Sequence, residues 1–316
     1  MGLYWILAIL MMFQQGHYPD PLVIERNGQV ILEMSRAQYS DSRTGIPFVV
    51  RDKLNKGMDA IDRQVQKPAV NATLDGGGRI LPEHAGSQLD RKLFEEQFYS
   101  FIFEGGFSQL EVPMLTIYPR VDSELLSTIK VKRIGQYATY YNSNNKNRSH
   151  NVSLAAKAIN NYVVFPNERF SFNEVVGKRT KETGYLRAPV IVRGEMSEDI
   201  GGGICQISST LFNAVDRAGL KIIERYSHSR NVKYVPPGRD ATVSWYGPDF
   251  VFQNKYDQPV LIRAYASGGQ VSIVICSSDE LIAKKRQVPS ASKKLPEEVK
   301  LEMDAGGLER DTNKTD

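Results

Sequence analysis

Apolar residues recur along this chain at two periods, and the alternation between them marks out its elements. Ile204, Ile207, Leu211, Phe212, Val215 and Ala218 follow the i, i+3, i+4, i+7 spacing of one buried helical face, and Gly219 supplies a stop. Leu89, Leu93, Phe94, Phe98, Phe101 and Ile102 repeat the pattern over residues 89–103. Further helices are predicted over 53–65 and from about Val152 to Tyr162, the latter capped by Asn151 or Ser153. Short β-like runs occupy 22–24, 30–32, 48–50, 110–121, 189–192, 250–254, 259–265 and 270–276. The segment 224–245 reads as more of the same. Asp75-Gly76 between 72–74 and 79–81 predicts a hairpin. The expected fold is α+β in two domains, the second with helices packed on a largely antiparallel sheet.

A chain of 316 residues exceeds one typical domain. The pattern divides it into a leading segment and connector (1–20), a first α+β domain (21–125), a second domain (129–276) and a tail (277–316). The tail is expected to be mostly disordered, because it is charged and polar, with KKR at 284–286 and few aromatics. The run LYWILAILMMF at 3–13 is too short for a bilayer span, which needs about 20 residues. Its length suits the apolar core of a secretory signal or a clipped anchor, although no Lys or Arg precedes it. The expectation is export, with a natural start lying upstream.

The formal net charge of +4 permits attraction to an anionic envelope. No basic stripe interleaved with aromatics points to nucleic acid. Two cysteines, Cys205 and Cys276, allow at most one bridge and lack zinc-ligand spacing, and the four histidines are scattered. DGGGR at 75–79 is followed by no Gly-Lys-Ser/Thr, so it is not a phosphate loop. No metal or cofactor is expected.

Chemistry concentrates in GGGICQISSTLFNAVDRAG, 201–219. Cys205 follows three glycines at a predicted helix start, on the edge of the apolar stripe shared with Ser208, Ser209 and Phe212. Unpaired amides there carry a partial positive charge that favours a thiolate, and thiols so placed fall to about 3.5–7.5. Gly201, Gly202 and Gly203 allow a sharp turn and close approach of a substrate backbone. A nucleophile needs a base, and His228 is the histidine that follows, with Asp240 twelve residues on to orient it and Asp199 as an alternative. Gln206 or nearby amides would donate to an oxyanion. Ser209 would face the same cleft, and Tyr234, Trp245 and Tyr246 would wall it. Equally, a small buried thiol on a glycine turn can be purely structural.

The stretches RFSFNEVVGKRTKETGYLRAPVIVRGE, GGGICQISSTLFNAV and ERYSHSRNVKYVPPGRDATVSW resemble the VanW family, vancomycin B-type resistance proteins, over about 130–276. Gly201–Gly203, Cys205, Gln206, His228, Pro237, Gly238, Asp240 and Thr242 occupy positions of that family's motif. Tyr226 departs from it, standing where relatives often carry a second histidine. The preceding region, with NATLDGGGRILPEHAG and its helix, resembles a peptidoglycan-binding domain found beside VanW domains. The resemblance implies an extracytoplasmic protein, membrane-anchored or wall-associated, whose partner is peptidoglycan or its precursors. Two readings stand: a cysteine-dependent enzyme acting on peptide stems, and a wall-binding scaffold in which the glycines and thiol only build a turn.

Overall fold

The computed structural model describes residues 20–41, 48–104, 108–192 and 195–294. The chain forms two compact units that divide after Ser123. Residues 3–13 lie outside the described residues, and among the described residues no helix is long and apolar enough to cross a membrane.

In the first unit β1 (Leu22–Arg26) and β2 (Gln29–Met34) form an antiparallel hairpin, turned at Asn27 and Gly28 with positive φ. A one-turn helix α1 (Arg36–Tyr39) leads to the small pair β3 (Ser40–Asp41) and β4 (Phe48–Val49), then to α2 (Arg51–Val65). Asp75 and the glycines after it turn β5 (Thr73–Leu74) into β6 (Ile80–Leu81). After β7 (Gly86–Leu89) the Asp90 side chain caps α3 (Arg91–Phe103), accepting from the Leu93 amide at 3.0 Å. The expected single strand over 110–121 is two, β8 (Gln109–Glu111) and β9 (Met114–Ile117), in different sheets. Pro113 cannot donate to a ladder, so pairing stops there and restarts with another partner. The apolar faces of α2 (Leu54, Met58, Ile61) and α3 (Phe94, Phe98, Phe101) share a core with Leu22, Ile24 and Met34.

The second unit opens with α4 (Ser123–Ile129), whose first residue is the last of the first unit. Its strand β10 (Lys132–Tyr140) precedes α5 (Lys146–Ile159), β11 (Tyr162–Val164), β12 (Arg169–Ser171) and α6 (Phe172–Val176). A hairpin of β13 (Arg187–Val192) and β14 (Glu195–Ile200) delivers the chain to α7 (Ile204–Arg217). Then come β15 (Lys221–Glu224), β16 (Val251–Gln253), β17 (Val260–Ser267) and β18 (Gln270–Ser277). Antiparallel pairing gives a four-stranded sheet ordered β10-β18-β17-β11 and a three-stranded one ordered β12-β16-β15. The fold is α+β. Ile207, Leu211 and Val215 of α7 bury with Ile273 and Ile275 of β18. Close approach of α7 to β10 depends on Gly135, where a Cβ would stand 2.3 Å from the Ala214 carbonyl oxygen.

Three expectations need correction here. Helix α5 starts six residues before the expected Val152, because Asn145 caps it by accepting from the Arg148 amide at 3.0 Å. Asn151, the expected cap, is buried inside the helix and bonds Leu186 and Gly202 instead. The segment 225–250 is loop, tied across by an isolated bridge between Tyr226 and Thr242. Residues 278–294, assigned by composition to the tail, are placed against the second unit. Leu281 and Val288 are buried, the Tyr137 hydroxyl donates to the Pro289 carbonyl, and Arg286 pairs with Asp216 at 2.8 Å. Two apolar anchors and specific backbone bonds order a stretch whose average composition is polar.

Candidate functional site around Cys205

Cys205 is the second residue of α7 and is partly exposed. Gly203, in the left-handed region at φ 104°, starts the helix. The first-turn amides of Ile204 and Gln206 return to the carbonyls of Gly201 and Gly203, at 3.2 and 3.0 Å. The sulfur lies 3.6 Å from the Val243 carbonyl oxygen and 3.8 Å from the Thr242 hydroxyl. Neither contact was expected from sequence.

His228 and Asp240 come from the loop that follows β15. The Asp240 carboxylate accepts from both the His228 backbone amide and ring Nδ1, each at 2.6 Å, and both side chains are 8 % exposed. With Nδ1 so engaged, the imidazole and the Cys205 thiol act on each other's ionisation. Burial works against the charged imidazole, but the bond to Asp240 and the interaction with Cys205 outweigh it and push the pKa up to about 9. Burial likewise opposes the Cys205 thiolate, and the hydrogen bond and charge of His228 overcome it, holding the thiol below its ordinary value. The three groups are linked so that the ionised forms of Cys205, His228 and Asp240 favour one another.

The polar side of α7 holds this array in place. Ser208 Oγ donates to the Ala241 carbonyl at 2.6 Å, and Ser209 Oγ accepts from the Ala241 amide at 2.9 Å. Asn213 Nδ2 donates to the Arg239 carbonyl at 2.7 Å. Asp240 is thus pinned from both sides by residues of the cysteine's own helix. Arg225 adds a bond from Nη1 to the Asp240 carbonyl at 2.6 Å.

Several expected roles change. Gln206 is buried, and its amide group is spent on the Thr139 hydroxyl and Tyr140 carbonyl, at 3.0 and 3.1 Å, while its oxygen accepts from Arg148. It has no donor left for an oxyanion. Ser209 is fully buried and serves the loop bonds just described. A Cβ on Gly202 would sit 2.5 Å from the Ala188 carbonyl oxygen, and one on Gly203 would sit 2.9 Å from Val152 Cγ2. On Gly201 it would meet Ile204 Cδ1 at 2.9 Å. The bareness of these glycines is used by the protein's own packing.

Tyr234 does reach the site. Its hydroxyl is buried without a hydrogen-bond partner, and burial, then the charge of Cys205, drive its pKa up so that it stays a proton donor. Trp245 and Tyr246 are exposed, just beyond Val243. Asp199 is exposed on β14 and accepts from the Ile200 amide, apart from the imidazole's own partner Asp240. Tyr226 is exposed. Cys276, on β18, is a buried free thiol, and Cys205 is free as well. Burial raises the Cys276 pKa, so the two thiols have opposite characters.

Comparison with known proteins places this site within a matched region. The family described as VanW like protein matches residues 147–276, which include Cys205, His228 and Asp240. The chain is 50% identical to "Uncharacterized protein YoaR" of Bacillus subtilis (strain 168) over 297 residues, 94% of this chain and 98% of that protein. It is 34% identical over 119 residues to "Vancomycin B-type resistance protein VanW" of Enterococcus faecalis (strain ATCC 700802 / V583), covering 35% of this chain and 42% of that one. No solved structure matches the chain.

Proposed function

The chain belongs to the VanW family, and from that premise we propose that it is a cysteine-dependent acyl-transfer enzyme of the cell envelope. Its substrate class is the peptide stem of peptidoglycan or a precursor, and its reaction that of an amidase, peptidase or transpeptidase. The observation that carries this reading is the His228–Asp240 pair, joined at 2.6 Å, whose imidazole and the Cys205 thiol at the start of α7 favour each other's ionised form.

In this mechanism the Cys205 thiolate adds to an amide carbonyl carbon, forming an S–C bond and a tetrahedral oxyanion. The Cys205 amide and the Tyr234 hydroxyl are the candidate donors to that oxygen. The His228 imidazolium passes its proton to the departing amine as the C–N bond breaks, which leaves a thioester. Neutral His228 then takes a proton from water or an acceptor amine as it attacks, and the thiolate is released with the acyl product. Asp240 keeps the ring oriented through both steps and stabilises the imidazolium whenever it forms.

The first unit would hold the enzyme on the wall, and residues 3–13 would direct export. A link to glycopeptide resistance follows from the printed name of one relative alone. The test is peptide or amine release from purified sacculi by wild type and by Cys205→Ser. Release that requires the thiol supports the reading. Equal behaviour of the two proteins, with an ordinary alkylation profile near pH 8.5, would leave the scaffold reading. Retention on sacculi no better than that of an unrelated basic protein would remove wall binding.

A further inference from the structure

Resting on the acyl-transfer reading, we infer that Arg179 is a carboxylate-binding residue of the Cys205 site, so that the favoured acyl donor is a peptide bearing a free carboxylate next to the reacting carbonyl. Arg179 follows α6 and lies against the glycine turn: a Cβ built on Gly201, four residues before the nucleophile, would be 3.3 Å from Arg179 Cβ. The guanidinium sits over the Phe172 ring at 5.8 Å, and Nη2 donates to Asn173 Oδ1 at 2.7 Å. Asn173 in turn donates to the carbonyls of Ser244 and Pro248, at 2.9 and 3.2 Å. Ser244 adjoins Val243 and Thr242, the residues that touch the thiol. One short network therefore sets both the sulfur and the guanidinium.

The other end of that guanidinium is unused. Nη1 is buried and has no hydrogen-bond partner, and among the described residues no carboxylate lies within ion-pair distance of Arg179. Asp249, the acid in its surroundings, is committed to the Ser171 hydroxyl and the amides of Asn173 and Phe250, at 2.5, 2.9 and 2.7 Å. The Cys205 and Tyr185 side chains are the other ionisable groups that face it. A guanidinium stays charged in proteins, and burying one without its full complement of acceptors is costly. A planar carboxylate is the ligand its fork fits, and the charge of Cys205 acts on the same guanidinium.

The test uses the full chain carrying Cys276→Ser, so that one thiol reports. Rates of Cys205 alkylation by iodoacetate, which bears a carboxylate, and by neutral iodoacetamide are measured across pH. Their ratio cancels any change in thiolate fraction. In wild type the ratio should exceed that of a small free thiol. Arg179→Gln should lower it by about tenfold, the size of one hydrogen bond to a charged group, and Arg179→Lys by less. If the Gln variant fails to fold, as read by circular dichroism, the Lys variant carries the comparison. Protection from iodoacetamide by an acetylated dipeptide acid, its amide, or an acetylated glutamyl amide then identifies a chain terminus or a side chain as the source of the carboxylate. A ratio unchanged by either substitution, or protection that does not depend on a carboxylate, would overturn the assignment of Arg179. An ordinary thiol profile with iodoacetamide would instead count against the acyl-transfer reading itself.

Discussion

Replacing Asp240 with Asn tests how the charge at Cys205 is sustained. The substitution is nearly isosteric, and the remaining amide oxygen can still accept the His228 backbone N–H that the carboxylate holds at 2.6 Å. What it removes is the negative charge beside Nδ1. His228 is raised from 6.5 to about 9, which corresponds to about 3 kcal/mol in favour of the imidazolium. The bond to Asp240 is the largest of the influences that raise it and burial opposes them all, so the share at stake is at least half of that, roughly 1.5 kcal/mol. Loss of that share should lower the imidazole pKa and raise the thiol pKa by about one pH unit between them. The assay is the pH dependence of iodoacetamide alkylation in the Cys276→Ser background. Wild type should show a reactive thiolate well below pH 8.5, and Asp240→Asn should move the inflection upward with a rate near pH 7 lower by about tenfold. An inflection that stays in place while the fold is retained would refute the claim that Asp240 sustains the pair.

The same array has a consequence for stability. The raised His228 pKa contributes stability that is present below 6.5 and lost as pH rises through about 9. The lowered Cys205 pKa has the opposite slope, gaining as pH rises toward the ordinary thiol value. In wild type the two slopes oppose each other across that window. Cys205→Ser, which removes the thiol's share, should therefore make the melting temperature fall more steeply from pH 6.5 upward than in wild type, and a flat profile in the variant would count against a charged His228. Gly202→Ala should destabilise the second unit by about 1–3 kcal/mol, the usual cost of overpacking, because its Cβ would meet the Ala188 backbone at 2.5 Å. Thermal melting checks this, and a variant as stable as wild type would mean that the turn has room it does not show.

The periodic elements were readable because their cause is local. An apolar stripe such as that of α7, or an alternating run such as β18, needs one buried face whatever covers it, so type and position follow from spacing. Cys205 could be placed at a helix start for the same reason, and His228 with Asp240 by the chemistry a thiol nucleophile requires. Errors fell where short-range pattern competes with a distant partner. Pro113 splits a strand, Asn145 rather than Asn151 caps α5, and residues 278–294 are ordered by Leu281 and Val288. The glycine triplet was readable as a sharp turn, but sequence records a missing side chain and not the protein atoms that pack into its place.

Sequence by itself determined two α+β regions, a thiol at a glycine-led helix start, and the residue types able to activate it. Tertiary structure alone decided that Gln206 and Ser209 are spent on internal bonds, that Tyr234 keeps a buried hydroxyl free, and that Arg179 lies against the glycine turn with one nitrogen unmatched. The division has a physical basis. Helical and strand periods are set by each residue's near neighbours, whereas a hydrogen-bonding group is available or occupied according to atoms brought to it from tens of residues away.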